Sequence, residues 1–394
     1  MAGTGRGPRG FRLRRAALSM TIRPVLIRPV LIRIVLAAAI LVGATDCGGG
    51  GGTAALPGRA GATVVSAQPG TITESGSGLL YPLASTWAKA YEKDAPGVTV
   101  TTASTGSGTG IQLAAAGRAD IGASDAYLSS GDLVQNPTLL NIPLVISAQT
   151  VIYNLPGLSQ GSHVNLNGTV LAGIYDGTIT MWDDPAIASI NQGLTLPAIK
   201  IVPVHRSDSS GDTFLFTSYL STQDPGWNSS IGYGTTAAWP SVSGARAEVG
   251  SVNTMDTCEA APGCVAYNGI SYLAPALAGH LGYASLANEA GQYTLPSAAA
   301  IQASVASFVS LTPPSETISI IDGPAATGYP IVNYEYAVVK SDQPDAAKAS
   351  EIKAFLRWVI TTGNEAAYVD TVGFQPLPKA LVTLGEQQIA EIGG

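Results

Sequence analysis

The chain has 394 residues, 46% apolar and only 12% charged, which allows two domains with a core each and excludes a disordered or collagen-like protein. The formal charge of −7 is uneven: eight arginines and one acid fall within residues 1–47, and the rest carries 12 basic against 26 acidic residues. An acidic body with no basic patch excludes nucleic acid as partner but leaves a small anion open, because local donors decide anion binding.

At the N-terminus, Arg6, Arg9, Arg12, Arg14 and Arg15 precede a near-repeat from Ile22 to Leu36. The one clean apolar run, Ile34 to Val42, is too short to span a bilayer and fits the core of a signal peptide. Cys47 and an all-glycine run to Gly52 follow. Apolar core, cysteine and tether together resemble a bacterial lipoprotein signal, which makes Cys47 the expected lipid anchor. A plain cleaved signal with an incidental cysteine is the alternative, since Asp46 stands where such signals take a small uncharged residue. Met20 is an alternative start. Residues 1–47 thus read as a targeting segment and 48–70, aperiodic and small-residue-rich, as a flexible tether.

From Thr71 onward, strand, Gly-rich turn and helix alternate, which predicts an α/β fold with a mainly parallel sheet. Thr71–Thr73 leads through Ser75-Gly-Ser-Gly78 into Leu79, Leu80, Leu83, Trp87 and Tyr91 at helical spacing. Val98–Val100 leads through Gly106-Ser-Gly-Thr-Gly110 into Ile111, Leu113 and three alanines. Ile199–Val204 leads through His205-Arg-Ser-Asp208 and Ser209-Ser-Gly-Asp212 into Phe214, Leu215, Phe216 and Tyr219. Each turn opens a helix at the carboxyl end of a strand, where α/β sheets bind ligands and bare helix amides favour an anion. Arg206 lies on the third turn, and Asp125 follows the short strand Ile121–Ser124. Small residues also cap helices for structural reasons alone, so the three turns carry weight together rather than singly.

Other motifs are weaker. Gly106 to Gly110 is spaced GxGxG and not GxGxxG, and no Gly-Lys-Ser/Thr follows it, so neither a dinucleotide fold nor a P-loop is indicated. Gly157-Leu-Ser159-Gln-Gly161 matches a hydrolase elbow in letters, but Pro156 precedes it and no helical pattern follows Ser159. Cys258 and Cys264 bracket a Pro262-Gly263 turn, and a disulfide is the natural pairing in an oxidising compartment, leaving Cys47 over. The alternative, a metal site, has no second CxxC or histidine cluster behind it, and no cofactor is expected.

Ile121-Gly-Ala-Ser-Asp125, Trp182-Asp-Asp-Pro185, His205 to Phe214, Phe216-Thr-Ser-Tyr-Leu220, Pro262 to Tyr267 and Gly373 to Pro378 resemble, in combination, the phosphate-binding proteins of ABC importers, the PstS family. The resemblance runs from about residue 71 to the C-terminus. It implies a two-domain periplasmic-binding-protein fold with the ligand cleft between domains: residues 71–147 with 329–394 as domain one, and 148–328 as domain two. It implies high-affinity binding of inorganic phosphate, delivery to permease subunits driven by a cytoplasmic ATPase, export with attachment to the membrane, and no enzymatic activity. The residues implied in phosphate binding are Ser77, Gly78, Leu79, Ser107, Asp125, Arg206, Ser210, Gly211 and Asp212. Asp208 would pair with Arg206. Members often have Thr at the position of Gly78, so a hydroxyl donor is missing there. Asp212 replaces a Thr and would accept a second ligand proton. Another tetrahedral oxyanion, sulfate or molybdate, is the alternative ligand, and a secreted serine hydrolase using Ser159 the alternative class.

Overall fold

The protein is described by a computed structural model covering Met1 and residues 70–393. The remainder of the targeting segment, Cys47 and the tether up to residue 69 lie outside the described residues.

The β-branched and aromatic runs form a nine-stranded mixed sheet: β1 (Thr71–Gly76), β2 (Thr99–Ser104), β3 (Ile121–Ser124), β4 (Leu139–Tyr153), β5 (Val202–Arg206), β6 (Arg246–Glu248), β7 (Cys264–Gly269), β8 (Gly282–Tyr283) and β9 (Val332–Lys340). The order is β2-β1-β3-β9-β4-β7-β5-β6, with β8 beside β4. β1, β2 and β3 are mutually parallel, as are β5, β6 and β7, so the expected parallel character holds within each half. The halves are joined through antiparallel β4 and β9.

β4 is unusually long, and it changes partner. Residues 139–148 pair with β9, and from Gln149 onward the strand pairs with β7. One residue of register is lost between Glu335 and Tyr336 of β9, where Glu335 opposes Val145 and Tyr336 opposes Pro143. Such a bulge re-aims the side chains around it.

Eight helices of eight residues or more cover the sheet among the described residues: α1 (Tyr81–Asp94), α2 (Ser107–Ala115), α3 (Gly168–Asp176), α4 (Gly211–Gln223), α5 (Gly250–Glu259), α6 (Ala298–Ala306), α7 (Ala346–Ile360) and α8 (Lys379–Glu391). α1 shows how the pattern works: Pro82 sits in its first turn, and Leu83, Ala84, Trp87, Ala88 and Tyr91 form one buried stripe. It begins at Tyr81, so Leu79 and Leu80, predicted as its first helical residues, belong to the turn. β1 likewise runs on to Gly76, because Ser75 and Gly76 pair in register with Ala103 and Ser104. α4 is buried on every face from Gly211 to Leu220, as an enclosed helix must be.

Cys258, at the end of α5, is bonded to Cys264, the first residue of β7, with their Cα atoms 5.2 Å apart. Trp182 is buried and donates to Gly263 O, while Asp184 caps the short helix Pro185–Ser189. The Trp-Asp-Asp-Pro motif is therefore structural.

Candidate ligand site

The turns after β1, β2 and β5 meet. Gly108 N of the second turn donates to Ser209 O of the third at 3.1 Å. The first turn is held from the other half of the sheet: Tyr272 Oη donates to Gly78 O at 3.1 Å and Ser271 Oγ to Leu79 O at 2.8 Å. The predicted residues Ser77, Gly78, Leu79, Ser107, Asp125, Arg206, Ser210, Gly211 and Asp212 are buried, and Asp208 stands at the rim.

Donors are abundant where the turns meet. The residues that cap the starts of α1, α2 and α4 are Leu80, Gly106 and Ser210, and none of them lends a side chain to the first turn. The first-turn amides of α4, at Gly211, Asp212 and Thr213, therefore have no intrahelical partner. Among the described residues, Gly78 N and Leu79 N also have no protein acceptor. Ser107 Oγ accepts from Asp125 N at 3.1 Å, which leaves its hydroxyl proton to donate. Ser77 is committed inside the protein: its amide donates to Ala123 O, and its Oγ accepts from Leu80 N and donates toward Glu335 Oε2.

Gly211 fixes how closely the halves approach. A Cβ there would stand 2.1 Å from Asp125 Oδ2 and 2.3 Å from Ser107 Oγ, so only glycine lets this helix start close over the acid. Gly78 is explained the same way. A Cβ on it would lie 2.9 Å from Ser251 Oγ, so a serine from α5 takes the space that a larger residue would need.

Arg206 is almost fully neutralised. Nε and Nη2 donate to the two oxygens of Asp208 at 2.7 and 2.5 Å, and Nη1 donates to Asp212 Oδ2 at 2.7 Å and Ser251 Oγ at 3.1 Å. Of five N–H groups, one on Nη2 remains for a ligand. Burial works against its charge, but the two aspartates outweigh that and push its pKa up. Burial also raises Asp208, yet the guanidinium dominates and holds it below the usual carboxylate range. The Asp212 carboxylate accepts from Arg206, Ser251 and Gln149, so its expected role as acceptor of a second ligand proton competes with three protein donors.

Asp125 is different. It is buried, and unlike Asp208 and Asp212 it takes no bond from the Arg206 guanidinium. Burial, then the charge of Asp212, pushes its pKa up, while Glu335, Ser77 and Arg206 pull it partly back. Its backbone carbonyl accepts from Asn333 Nδ2.

Several residues of this site carry no local sequence motif: Glu335 and Asn333 on β9, Gln149 on β4 and Ser251 on α5. Tyr267 on β7 closes the Pro262–Tyr267 motif, which does not mark it as a site residue. Tyr267 Oη accepts from Arg206 N at 2.9 Å and shares a bond with Thr213 Oγ1. A polar or acidic residue inside an otherwise apolar run is the one available signal, and Glu335 between Tyr334 and Tyr336 carries it.

Ser159 lies apart, exposed on a turn six residues past Tyr153, the end of β4, with no helix directly after it. Its Oγ pairs with Ser162 Oγ, and the neighbouring His163 Nδ1 is bonded to Tyr283 O. Among the described residues no cluster of His, Cys, Asp and Glu could hold a metal, and no helix is long and apolar enough to cross a membrane.

Residues 61–362 match the family described as the PBP superfamily domain. The phosphate-binding protein PstS of Pasteurella multocida is 33% identical, covering 81% of this chain and 89% of that protein. The phosphate-binding protein PstS of Methanocaldococcus jannaschii is 33% identical over 81% of this chain and 86% of its own. Among solved structures, a high-affinity periplasmic phosphate-binding protein with bound phosphate superposes with a TM-score of 0.63 at 22% identity, covering 82% of this chain and 99% of that one. That likeness establishes the fold.

Proposed function

The chain belongs to the PstS family of phosphate-binding proteins, and from that membership we propose that it captures inorganic phosphate and delivers it to an ABC import permease. The observation that carries the reading is Asp125, a buried carboxylate that no guanidinium neutralises, beside uncapped helix amides. Amides and the Ser107 hydroxyl suit the ionised oxygens of the ligand. An ionised carboxylate can only accept, so the ligand must bring a proton. Phosphate near neutral pH has one, and sulfate has none. Arg206 adds a single charge-assisted bond, and the dipoles do the rest. Binding rather than turnover is the role that the family membership supports.

The domain division at 71–147 with 329–394 and at 148–328 fits the change of partner along β4 at Ala148, and closure would be a hinge motion across it. Phosphate would bridge Gly78, Leu79, Ser107 and Asp125 on one side, and Arg206, Ser210, Gly211 and Asp212 on the other. Export and anchoring through Cys47 place this site outside the cytoplasm, where Cys258–Cys264 persists. Titration calorimetry of the purified protein with phosphate, sulfate and molybdate tests the reading. Tight binding of phosphate with no heat from the other two is expected. Equal affinity for sulfate, or no heat with phosphate, contradicts it.

A further inference from the structure

Glu335 lies on β9 at the bulge, and its side chain is fully buried. The strand's period of two turns Asn333 and Glu335 to the same side, and both reach Asp125: Asn333 Nδ2 donates to the Asp125 backbone carbonyl at 2.6 Å, and the Glu335 carboxyl lies within hydrogen-bonding reach of the Asp125 carboxyl. Glu335 Oε1 accepts from Ser147 Oγ at 2.5 Å, and Oε2 from Ser77 Oγ at 3.4 Å. None of the ion pairs among the described residues includes it. The groups facing it are Asp125 after β3, Asp212 from α4, the two serine hydroxyls, and the Tyr336 phenol beside it on β9. The nearest guanidinium, Arg206, is already shared between Asp208 and Asp212. One cation therefore faces three aspartates, and a fourth ionised carboxyl in the same dry volume would have no compensation.

We propose that Glu335 is a neutral acid that donates its proton to Asp125, making it a positioning residue that keeps Asp125 ionised and able to accept the proton of phosphate. Burial, and then the charge of Asp125, raises the Glu335 pKa, in keeping with this assignment. The donated bond works on Asp125 in the opposite direction and favours its charged form. The ligand thus meets one half of a carboxyl–carboxylate pair, and the proton that holds the pair together comes from a strand that never touches it. The inference rests on the phosphate reading for its effect on affinity, but not for the proton itself.

Two measurements on the purified protein test it. Infrared spectra of the ligand-free protein at neutral pH should show a carboxylic-acid C=O stretch that disappears in Glu335→Gln. This readout stands whether or not phosphate binds. Phosphate titrations from pH 5 to 8 should then separate the variants. Glu335→Gln keeps a neutral donor and should bind within about threefold of wild type throughout. Glu335→Ala removes it, so Asp125 protonates at higher pH, and the loss relative to wild type should grow to roughly tenfold or more at the acidic end. Taking the ratio of variant to wild type cancels the ligand's own titration. A Gln variant as impaired as the Ala variant at every pH, a harmless Ala variant, or no acid stretch lost in the Gln variant overturns the proposal.

Discussion

The long helices of this molecule begin in two ways. Away from the site, α3, α6 and α7 start at Asn167, Ser297 and Asp345, and each lends a side-chain oxygen to an amide of its first turn. At the site, α1, α2, α4 and α5 start at Leu80, Gly106, Ser210 and Val249 with no such cap. α8 is an uncapped exception, starting at Pro378. A side-chain cap is worth about 1 kcal/mol. At two of these starts the protein itself takes a donor, Gly108 N going to Ser209 O and Gly250 N to Asp208 Oδ1, while the first-turn amides of α4 stay open for the proposed ligand. The same division separates the acids. Asp208 and Asp212 hold the arginine, while Asp125 takes no bond from it.

The largest break in this comparison comes from Gly211. Gly211→Ala places a methyl group against the Asp125 carboxylate and Ser107 Oγ, where backbone on one side and a fixed acid on the other leave no room. Phosphate affinity should fall about a hundredfold, roughly 3 kcal/mol, while circular dichroism stays that of the wild type. Undiminished affinity would mean that the helix start does not close over the acid.

A smaller change sharpens the comparison from the opposite side. Asp345 Oδ1 accepts from Lys348 N at 2.8 Å, far from the site. Asp345→Ala should lower unfolding stability by about 1 kcal/mol and leave the phosphate dissociation constant unchanged. If affinity moved with stability, scaffold caps and site termini would not be separable functions.

Much of this was legible along the chain. The strand–turn–helix alternation gave the fold class, because period and turn chemistry are local properties. The three turns, Asp125 and Arg206 were also visible, since each lies within a few residues of a glycine turn or a strand end, and the pairing of Arg206 with Asp208 came from the family resemblance. What stayed hidden comes from distant strands. Glu335 is 210 residues from Asp125, and Val332 to Val339 are all buried, so no alternation marks which side chain points where. The bulge that aims it depends on the pairing of β9 with β4 and has no sequence signature. Ser251 against Gly78 was hidden for the same reason: the glycine reads as a lost hydroxyl until the serine from α5 is seen in its place.

The central claim is that Asp125 selects a protonated oxyanion, and Asp125→Asn tests it most directly. The amide can donate to sulfate as well as accept from phosphate, and the Asp212 carboxylate, held by Arg206, Ser251 and Gln149, is poorly placed to substitute for the lost acceptor. Calorimetric titration of wild type and variant with both anions at neutral pH should show the phosphate-to-sulfate preference narrowing by about tenfold or more, with sulfate heat becoming measurable. Unchanged phosphate affinity together with undetectable sulfate binding in the variant would contradict the account and place discrimination elsewhere.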